Sequence, residues 1–299
     1  MNSICIFGVF VADLCFFANK IPLKGETVLG NNYIVGPGGK GSNQAIAAAR
    51  LNGEVNFITK LGKDSHSEMA LSLYKEAGVN VGSVIQDPNL STGVAGIMID
   101  ENGNNAINIF AGAAANLKNE DIDKNLQLLK KSKVFLTQME TPDITTIYAL
   151  KKASENGCLT ILNPAPARQI NKDDFKLLDF FTPNETEAEF YTGIRITNEK
   201  EAKKASVKLL NLGLKKVIIT LGEKGLFYSD GNEEIYLKAT LVKAIDTTGA
   251  GDAFNGGLAY ALSQNKSIEE ALKLANKVAG LSTLKLGAGN AMPTLKDLS

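Results

Sequence analysis

"AIDTTGAGDAFNGGLAYAL", residues 244–262, is the stretch on which the reading of this chain turns. Asp246, Thr247 and Thr248 precede Gly249-Ala250-Gly251-Asp252, and a helical pattern starts near Ala250 or Gly251. Glycines at a helix start let backbone N–H groups converge on one point, where the helix dipole adds partial positive charge. Such a nest of amides stabilises an oxyanion or a phosphate. Asp252 lies in the first turn. A carboxylate there is favourable through the dipole alone, by about 0.3–1 kcal/mol. It is also placed to be a general base beside the anion hole, taking the proton of a hydroxyl that attacks phosphorus. General-base help is worth roughly 10²–10⁴-fold and an anion-hole donor roughly 10²–10³-fold. Phosphoryl transfer relies on this pairing of position and charge.

A second glycine cluster lies upstream. "YIVGPGGKGSNQAIAAARLNG" (33–53) sets Gly36, Gly38, Gly39 and Gly41 around Lys40 and then reads as a helix. A Walker A loop needs Ser or Thr after its Gly-Lys pair. Here Gly41 follows Lys40, so that reading fails. The spacing Gly36-x-Gly38-x-x-Gly41 fits the dinucleotide fingerprint, but that motif belongs directly after the first strand, with an acid about 20 residues on. The cluster comes well after the first strand, and Glu54 and Asp64 do not end the next one. The better reading has glycines bringing backbone close to a small polar ligand. Lys40 and Asn43 supply donors and an acceptor, and Asp13 a carboxylate. Convergent groups of this kind suit a polyhydroxylated sugar. Without such neighbours Lys40 would be an exposed loop lysine.

Around these clusters apolar runs alternate with helical patterns. "SICIFGV" (3–9), "VNFITKL" (55–61), "KVFLTQM" (133–139), "CLTILN" (158–163), "LDFFTPN" (178–184) and "KKVIITLG" (215–222) read as buried strands. They are short and apolar, which suits a sheet covered on both faces. Amphipathic helices are predicted at 65–77, 142–156 and 198–212, and two more at about 250–264 and 267–285. This order predicts a mainly parallel α/β sheet with right-handed crossovers. Segments 13–35 and 92–110 interrupt the alternation. "TGVAGIMIDENGNNAINIF" (92–110) reads as a hairpin around Glu101-Asn102-Gly103-Asn104. A small β-structure inserted into an α/β domain often serves as a lid. Residues 1–299 are therefore read as one domain, with a lid from about 13–35 and 92–110.

In such sheets ligands sit beyond the carboxyl ends of the strands. Asp13 follows the first run, Glu140 follows 133–139, and "PAPAR" follows 158–163. Asn184 with "ETEAE" follows 178–184, and Gly222 closes 215–222. Any one of these is more often a turn or cap. Together they favour a single cleft.

Composition narrows the chemistry. The chain has 299 residues, enough for one large domain or two ordinary ones. Lys+Arg and Asp+Glu are both 32, so nothing favours a polyanionic partner such as nucleic acid. No apolar run reaches the roughly 18 residues of a membrane span. The N-terminal "MNSICIFGVFVADLCFF" lacks a basic n-region and carries Asp13, so it reads as a buried strand rather than a signal peptide. Cys5, Cys15 and Cys158 show no C-x-x-C spacing and read as small buried hydrophobes of a reducing compartment; a cytoplasmic protein is expected. His66, the single histidine, sits in "KDSHSE", a polar helix start, and reads as a solvated surface residue. A Ser-His-Asp triad or a two-histidine zinc site is thereby disfavoured. Carboxylates, lysine, hydroxyls, backbone amides or a bound ion must carry the chemistry.

Six motifs now combine: "GGKGSNQA" (38–45), "STGVA" (91–95), "NPAPAR" (163–168), "TPNETEAE" (182–189), "TLGEKG" (220–225) and "DTTGAGDAFNGG" (246–257). On them the chain resembles the ribokinase-like (phosphofructokinase-B type) carbohydrate kinases along nearly its whole length. The two glycine motifs in this order are highly specific to that family. The resemblance implies a doubly wound α/β domain with a small β-sheet lid, often used as a dimer contact, so a homodimer is expected. It implies transfer of the ATP γ-phosphate to a sugar hydroxyl, O5 of D-ribose in the branch to which "NPAPAR" and "TPNETEAE" point. Carried over by position, Asp252 would be the base, and Gly249, Ala250 and Gly251 the anion hole. Asp13, Gly39, Lys40, Gly41, Asn43 and Glu140 would hold the sugar together with Asp252. Asn184, Thr220, Gly222, Gly225, Gly251 and Asn276 would line the nucleotide site. Glu187 would organise magnesium through water. An activating potassium would fall near Asp246, Thr248, Ser282, Lys285 and Gly287.

One position departs from the family pattern. The family's ribose kinases usually carry Asn two residues before the sugar-binding Asp, and this chain has Val11 there. Valine cannot hydrogen-bond a sugar hydroxyl, and an apolar surface tolerates a missing hydroxyl better. Ribose remains the expected acceptor; 2-deoxyribose, another pentose, a nucleoside or a ketohexose is the alternative. A sugar- or nucleotide-binding regulator without chemistry is a further class, against which the intact Asp252 and its glycines argue.

Overall fold

The computed structural model describes residues 2–298. The first strand, β1 (Ser3–Phe7), is buried at every position, as befits a strand covered on both faces. The strands that follow are β2 (Val11–Phe17), β3 (Asn32–Gly38), β4 (Val55–Leu61), β5 (Val84–Gln86), β6 (Gly93–Ile99) and β7 (Asn105–Phe110). After them come β8 (Ser132–Gln138), β9 (Leu159–Asn163), β10 (Phe180–Phe181), β11 (Val217–Thr220), β12 (Leu226–Ser229) and β13 (Glu234–Leu237). Nine of them form one sheet in the order β13-β12-β11-β10-β9-β8-β1-β4-β5. Every pair from β11 to β5 is parallel; β12 and β13 add an antiparallel edge.

Successive strand residues point to opposite faces, and the core divides accordingly. Ile4, Ile6, Phe57, Val134, Leu136 and Ile161 pack on one side with the helices Lys40–Arg50, Ser65–Ala77, Ala250–Ser263 and Ile268–Ser282. Cys5, Phe7, Ile58, Phe135 and Leu162 pack on the other with Asp143–Glu155 and Glu199–Leu210. The sheet is therefore wound on both faces. Tyr74 shows how a layer is locked: its ring meets Phe57 and Phe10 edge-on, and its hydroxyl donates to Ser42 Oγ at 3.0 Å. Aromatic pairs of this geometry add about 0.5–1.5 kcal/mol each beyond area burial.

Four strands form a separate small sheet, β3-β2-β6-β7, with β2 and β6 parallel. Its register puts Val11 opposite Gly38 and Gly93, and Asp13 opposite Gly36 and Ala95. Because side chains alternate, Val11 and Asp13 share one face of β2. Phe16, Tyr33, Met98, Ile107, Ile109 and Phe110 of this sheet are exposed.

The structure refines the sequence reading at several points. The first strand stops at Phe7, so Asp13 lies inside β2 of the small sheet and not in a loop after β1. The 13–35 segment, expected as strands without a helix, is two strands, β2 and β3, joined by irregular chain where Pro22 lacks an N–H and Gly25 takes φ +80°. Neither β5 nor the β12–β13 hairpin was anticipated, and the hairpin has a local cause. Its turn is set by Asp230, whose Oδ1 accepts the N–H groups of Asn232 and Glu233, and the Asp-Gly signal for it stands in the sequence. Among the described residues no helix is long and apolar enough to cross a membrane.

Candidate active site

Two helices meet at the carboxyl ends of the parallel strands. Gly256 of the helix Ala250–Ser263 faces the helix Lys40–Arg50: a Cβ at Gly256 would lie 2.6 Å from Ala47 Cβ and 2.7 Å from the Gln44 carbonyl oxygen. Gly257 faces the helix Ile268–Ser282, where a Cβ would be 3.2 Å from Ala275 Cα and Val278 Cβ. This close packing brings the first turns together. Asn43 Nδ2 donates to Asp252 Oδ2 at 2.9 Å, and Gln44 Nε2 donates to Asp252 Oδ1 at 3.0 Å. Asp252 is 6% exposed. Burial pushes its carboxyl above the usual range, opposed by the Lys40 charge and by those two amides.

The helix mouth beside Asp252 is open. Gly249 is the N-cap, with φ 78° and ψ 2°, a left-handed conformation that only glycine adopts without strain. The Ala250 N–H donates back to the Thr247 carbonyl at 3.2 Å. Gly251 has no heavy atom within 4 Å of the point a Cβ would occupy. Its N–H belongs to the first turn, which has no intrahelical acceptors. Of the residues 249–251 expected to form an anion hole, Ala250 has its N–H turned back on the chain, while Gly251 faces open space.

Lys40 is surrounded by carboxylates. Its ammonium is held charged by Asp252 first, against burial, and then by Glu140 and Glu187. Its backbone N–H donates to Glu140 Oε2 at 2.8 Å. Burial pushes the Glu140 carboxyl up to about 7, with Lys40 opposing. Burial likewise raises Asp13 to about 6. The Asp13 carboxylate lies against Gly38, where a Cβ would be 2.3 Å from Oδ2. The close approach read into the upstream glycines is in part a contact of the chain with itself. A Cβ at Gly39 would be 2.6 Å from the Val9 carbonyl oxygen, and one at Gly41 2.7 Å from Gly8 Cα. These two residues let the helix start nestle on the chain leaving β1.

The remaining residues flank this centre. Asn184 caps the helix Glu185–Thr192 in a reciprocal box: Oδ1 accepts the Glu187 N–H at 2.8 Å, and Glu187 Oε2 accepts the Asn184 N–H at 2.9 Å. Asn184 also bridges to Thr220 at the end of β11. Gly222 and Gly225, with φ 54° and 105°, bound the turn that follows. Asn276 Nδ2 reaches the Lys238 carbonyl at 2.7 Å.

Asp246 ties two segments together, accepting the Thr248 N–H on Oδ1 and the Gly287 N–H on Oδ2, both at 2.9 Å. Burial would raise its carboxyl, but these hydrogen bonds outweigh it and hold the group below its usual range. Ser282 is buried and donates to the Ala279 carbonyl, while Lys285 is exposed. Among the described residues no three His, Cys, Asp or Glu side chains gather as a metal site.

Several buried polar residues beneath Asp252 escaped the sequence reading: Gln44, Gln138, Asn163, Thr182 and Asn255. Their signal was an amide or hydroxyl at the end of an apolar strand, or one helical turn from Asp252. Such a signal is weak without knowing which strand ends adjoin.

The mainly parallel α/β sheet thus carries, at its strand ends, a buried carboxylate in the first turn of a helix that starts at a glycine-rich turn, a place where such folds bind ligands. Residues 1–295 match the pfkB family carbohydrate kinase description, and the chain belongs to that family. It is a phosphotransferase acting on a carbohydrate hydroxyl. It is 36% identical over 296 residues to the ribokinase of Haemophilus influenzae, covering 99% of this chain and 97% of that one. It is also 36% identical over 298 residues to the deoxyribokinase of Salmonella typhi, with the same shares covered. Its structure matches the Arabidopsis thaliana ribokinase complexed with ribose and ATP with a TM-score of 0.94, at 30% identity over 99% of this chain and 97% of that one.

Proposed function

We propose that this enzyme transfers the γ-phosphoryl group of ATP to O5 of D-ribose, giving ribose 5-phosphate, with Asp252 as general base. The observation that carries this reading is the buried Asp252 carboxylate, held on both oxygens by amides at the mouth of an open helix N-terminus. The sugar hydroxyl gives its proton to Asp252 as its oxygen attacks phosphorus. Charge on the transferring phosphoryl oxygens is met by the Gly249 and Gly251 amides and the helix dipole. The Lys40 ammonium adds positive charge beside them. Asp13, Asn43 and Glu140, with the backbone of Gly39 and Gly41, hold the remaining hydroxyls. Asn184, Thr220, Gly222, Gly225 and Asn276 line the nucleotide side.

Cations fit this donor set. The Glu187 carboxyl is raised by burial, so a nearby cation would relieve it. Glu187 would hold magnesium through water, and the ion would neutralise phosphate charge. Asp246 and the oxygens of its two segments, with Thr248, Ser282, Lys285 and Gly287 alongside, would hold potassium and so fix the loop that ends in Gly249.

The small sheet serves as the lid. Exposed apolar residues stand on both of its faces, Phe16, Tyr33 and Phe110 on one and Ile107 and Ile109 on the other, and they suit packing against a second copy, giving a homodimer. Three unpaired cysteines support a cytoplasmic setting.

A second reading, 2-deoxyribose as acceptor, is favoured by Val11, which is buried on the same face of β2 as Asp13. The test is ATP turnover with ribose and 2-deoxyribose side by side, in potassium buffer with magnesium. Preference for ribose supports the first reading and makes Val11 a tolerated departure. Preference for deoxyribose makes Val11 the reader. No stimulation by any sugar overturns both and leaves a binding regulator.

A further inference from the structure

We propose that Gln44 is a positioning residue for phosphoryl transfer, its amide fixed by buried Gln138, Asn163 and the Thr182 carbonyl so that it orients the Asp252 carboxylate, with Thr182 and Asn255 bracing the helix turn beside it. This inference rests on the reading of Asp252 as the base. It stands on the direction of each hydrogen bond.

Two backbone carbonyls, which only accept, set those directions. The Thr182 carbonyl takes Asn163 Nδ2 at 3.2 Å. Asn163 Oδ1 is thereby turned towards Gln44, whose Nε2 donates to it at 3.1 Å. Gln44 Oε1 must then face Gln138, which donates through Nε2 at 2.6 Å. The second hydrogen on Gln44 Nε2 is left for Asp252 Oδ1, 3.0 Å away. On the other side the Gly251 carbonyl takes Asn255 Nδ2 at 2.8 Å, so Asn255 Oδ1 accepts from the Thr182 hydroxyl at 2.7 Å. The relay crosses the ends of β8 and β9 and the segment after β10, and its members are buried. Flipping any one amide would set donor against donor or oxygen against oxygen in a buried site.

The consequence falls on Asp252. An ionised carboxylate offers about four lone-pair positions. Asn43 and Gln44 occupy one on each oxygen, which stops the group from rotating and leaves the others for a hydroxyl. The charged groups coupled to it are Lys40, which favours its ionised form, and Glu140 and Glu187, which oppose it. Removing one amide donor would both loosen the carboxylate and weaken its hold on the ionised form.

The test is Gln44→Met, close in volume but without the donor, together with Gln138→Met and Asp252→Asn. For each, kcat, sugar KM, the pH profile of kcat and Tm are measured. Gln44→Met is expected to lower kcat by roughly 10–100-fold with KM changed less than about threefold. It is expected to move the acidic limb of the kcat profile upward by about half a pH unit or more. Gln138→Met should act in the same directions, more weakly, and carries the test if Gln44→Met does not fold. Wild-type kcat, or a loss of kcat with an unmoved acidic limb, overturns the positioning role. Inactive Asp252→Asn with a normal Gln44→Met rejects this inference alone; active Asp252→Asn rejects the base reading as well.

Discussion

Glu140 and Lys40 stand 100 positions apart in the chain, yet the Glu140 carboxylate accepts the Lys40 backbone N–H at 2.8 Å and so caps the helix that carries Asn43 and Gln44. The same contact buries an acid near two others, Asp252 and Asp13, with Lys40 opposing them.

That burial makes stability depend on pH. The Glu140 carboxyl, ordinarily at 4.5, is pushed up to about 7 in the folded protein. A raised folded value contributes stability that is full below the unfolded value and lost as pH rises through the folded one. The window is therefore pH 4.5 to about 7. Glu140→Gln keeps an acceptor for Lys40 but removes the charge. It should stabilise the ligand-free protein at pH 8 by about 1–3 kcal/mol and scarcely at pH 5, while weakening sugar binding. Melting at the two pH values checks this; an equal gain at both would assign it to something other than ionisation.

Asp252→Asn should lower kcat by roughly 10²–10⁴-fold, the range of general-base help. Sugar affinity by calorimetry should change less than about threefold, because Asp13, Asn43 and Glu140 remain. A large affinity loss with little change in kcat would recast Asp252 as a binding group.

Val11→Asn adds a donor and an acceptor on the face of β2 that carries Asp13. One hydrogen bond of about 0.5–1.5 kcal/mol should raise the ribose over 2-deoxyribose ratio of kcat/KM by roughly 3–10-fold. An unchanged ratio removes Val11 from the control of specificity.

Ile107→Glu puts a charge on β7, at the edge of the small sheet, where the side chain is 53% exposed. Folded-state stability should change by less than about 0.5 kcal/mol, since the position is solvated. A dimer closed through this sheet should dissociate, as sedimentation would read directly. A variant that sediments like the wild type places any dimer contact elsewhere.

Six of the nine strands of the main sheet, β1, β4 and β8 to β11, were legible in the sequence because their signals are local. β1, β4, β8 and β9 are unbroken apolar runs, and the helix Ser65–Ala77 is bounded by its Asp64 cap and by Gly78. Asp252 could be set at a helix N-terminus for the same reason: glycine and carboxylate lie within one turn of each other. What could not be read was which strand ends adjoin and how closely the helices pack. That Asp13 lies on a strand between Gly36 and Ala95 became clear only from the register of the small sheet. Gln44 looked like one more helical side chain until Gly256 let two helices touch and brought it to Asp252, 208 positions away. Periodicity, capping and glycine-rich turns act over a few residues, and they determined the elements, their order and the candidate base. Hydrogen-bond direction and carboxylate burial depend on groups distant in the chain, and only the tertiary packing decided them.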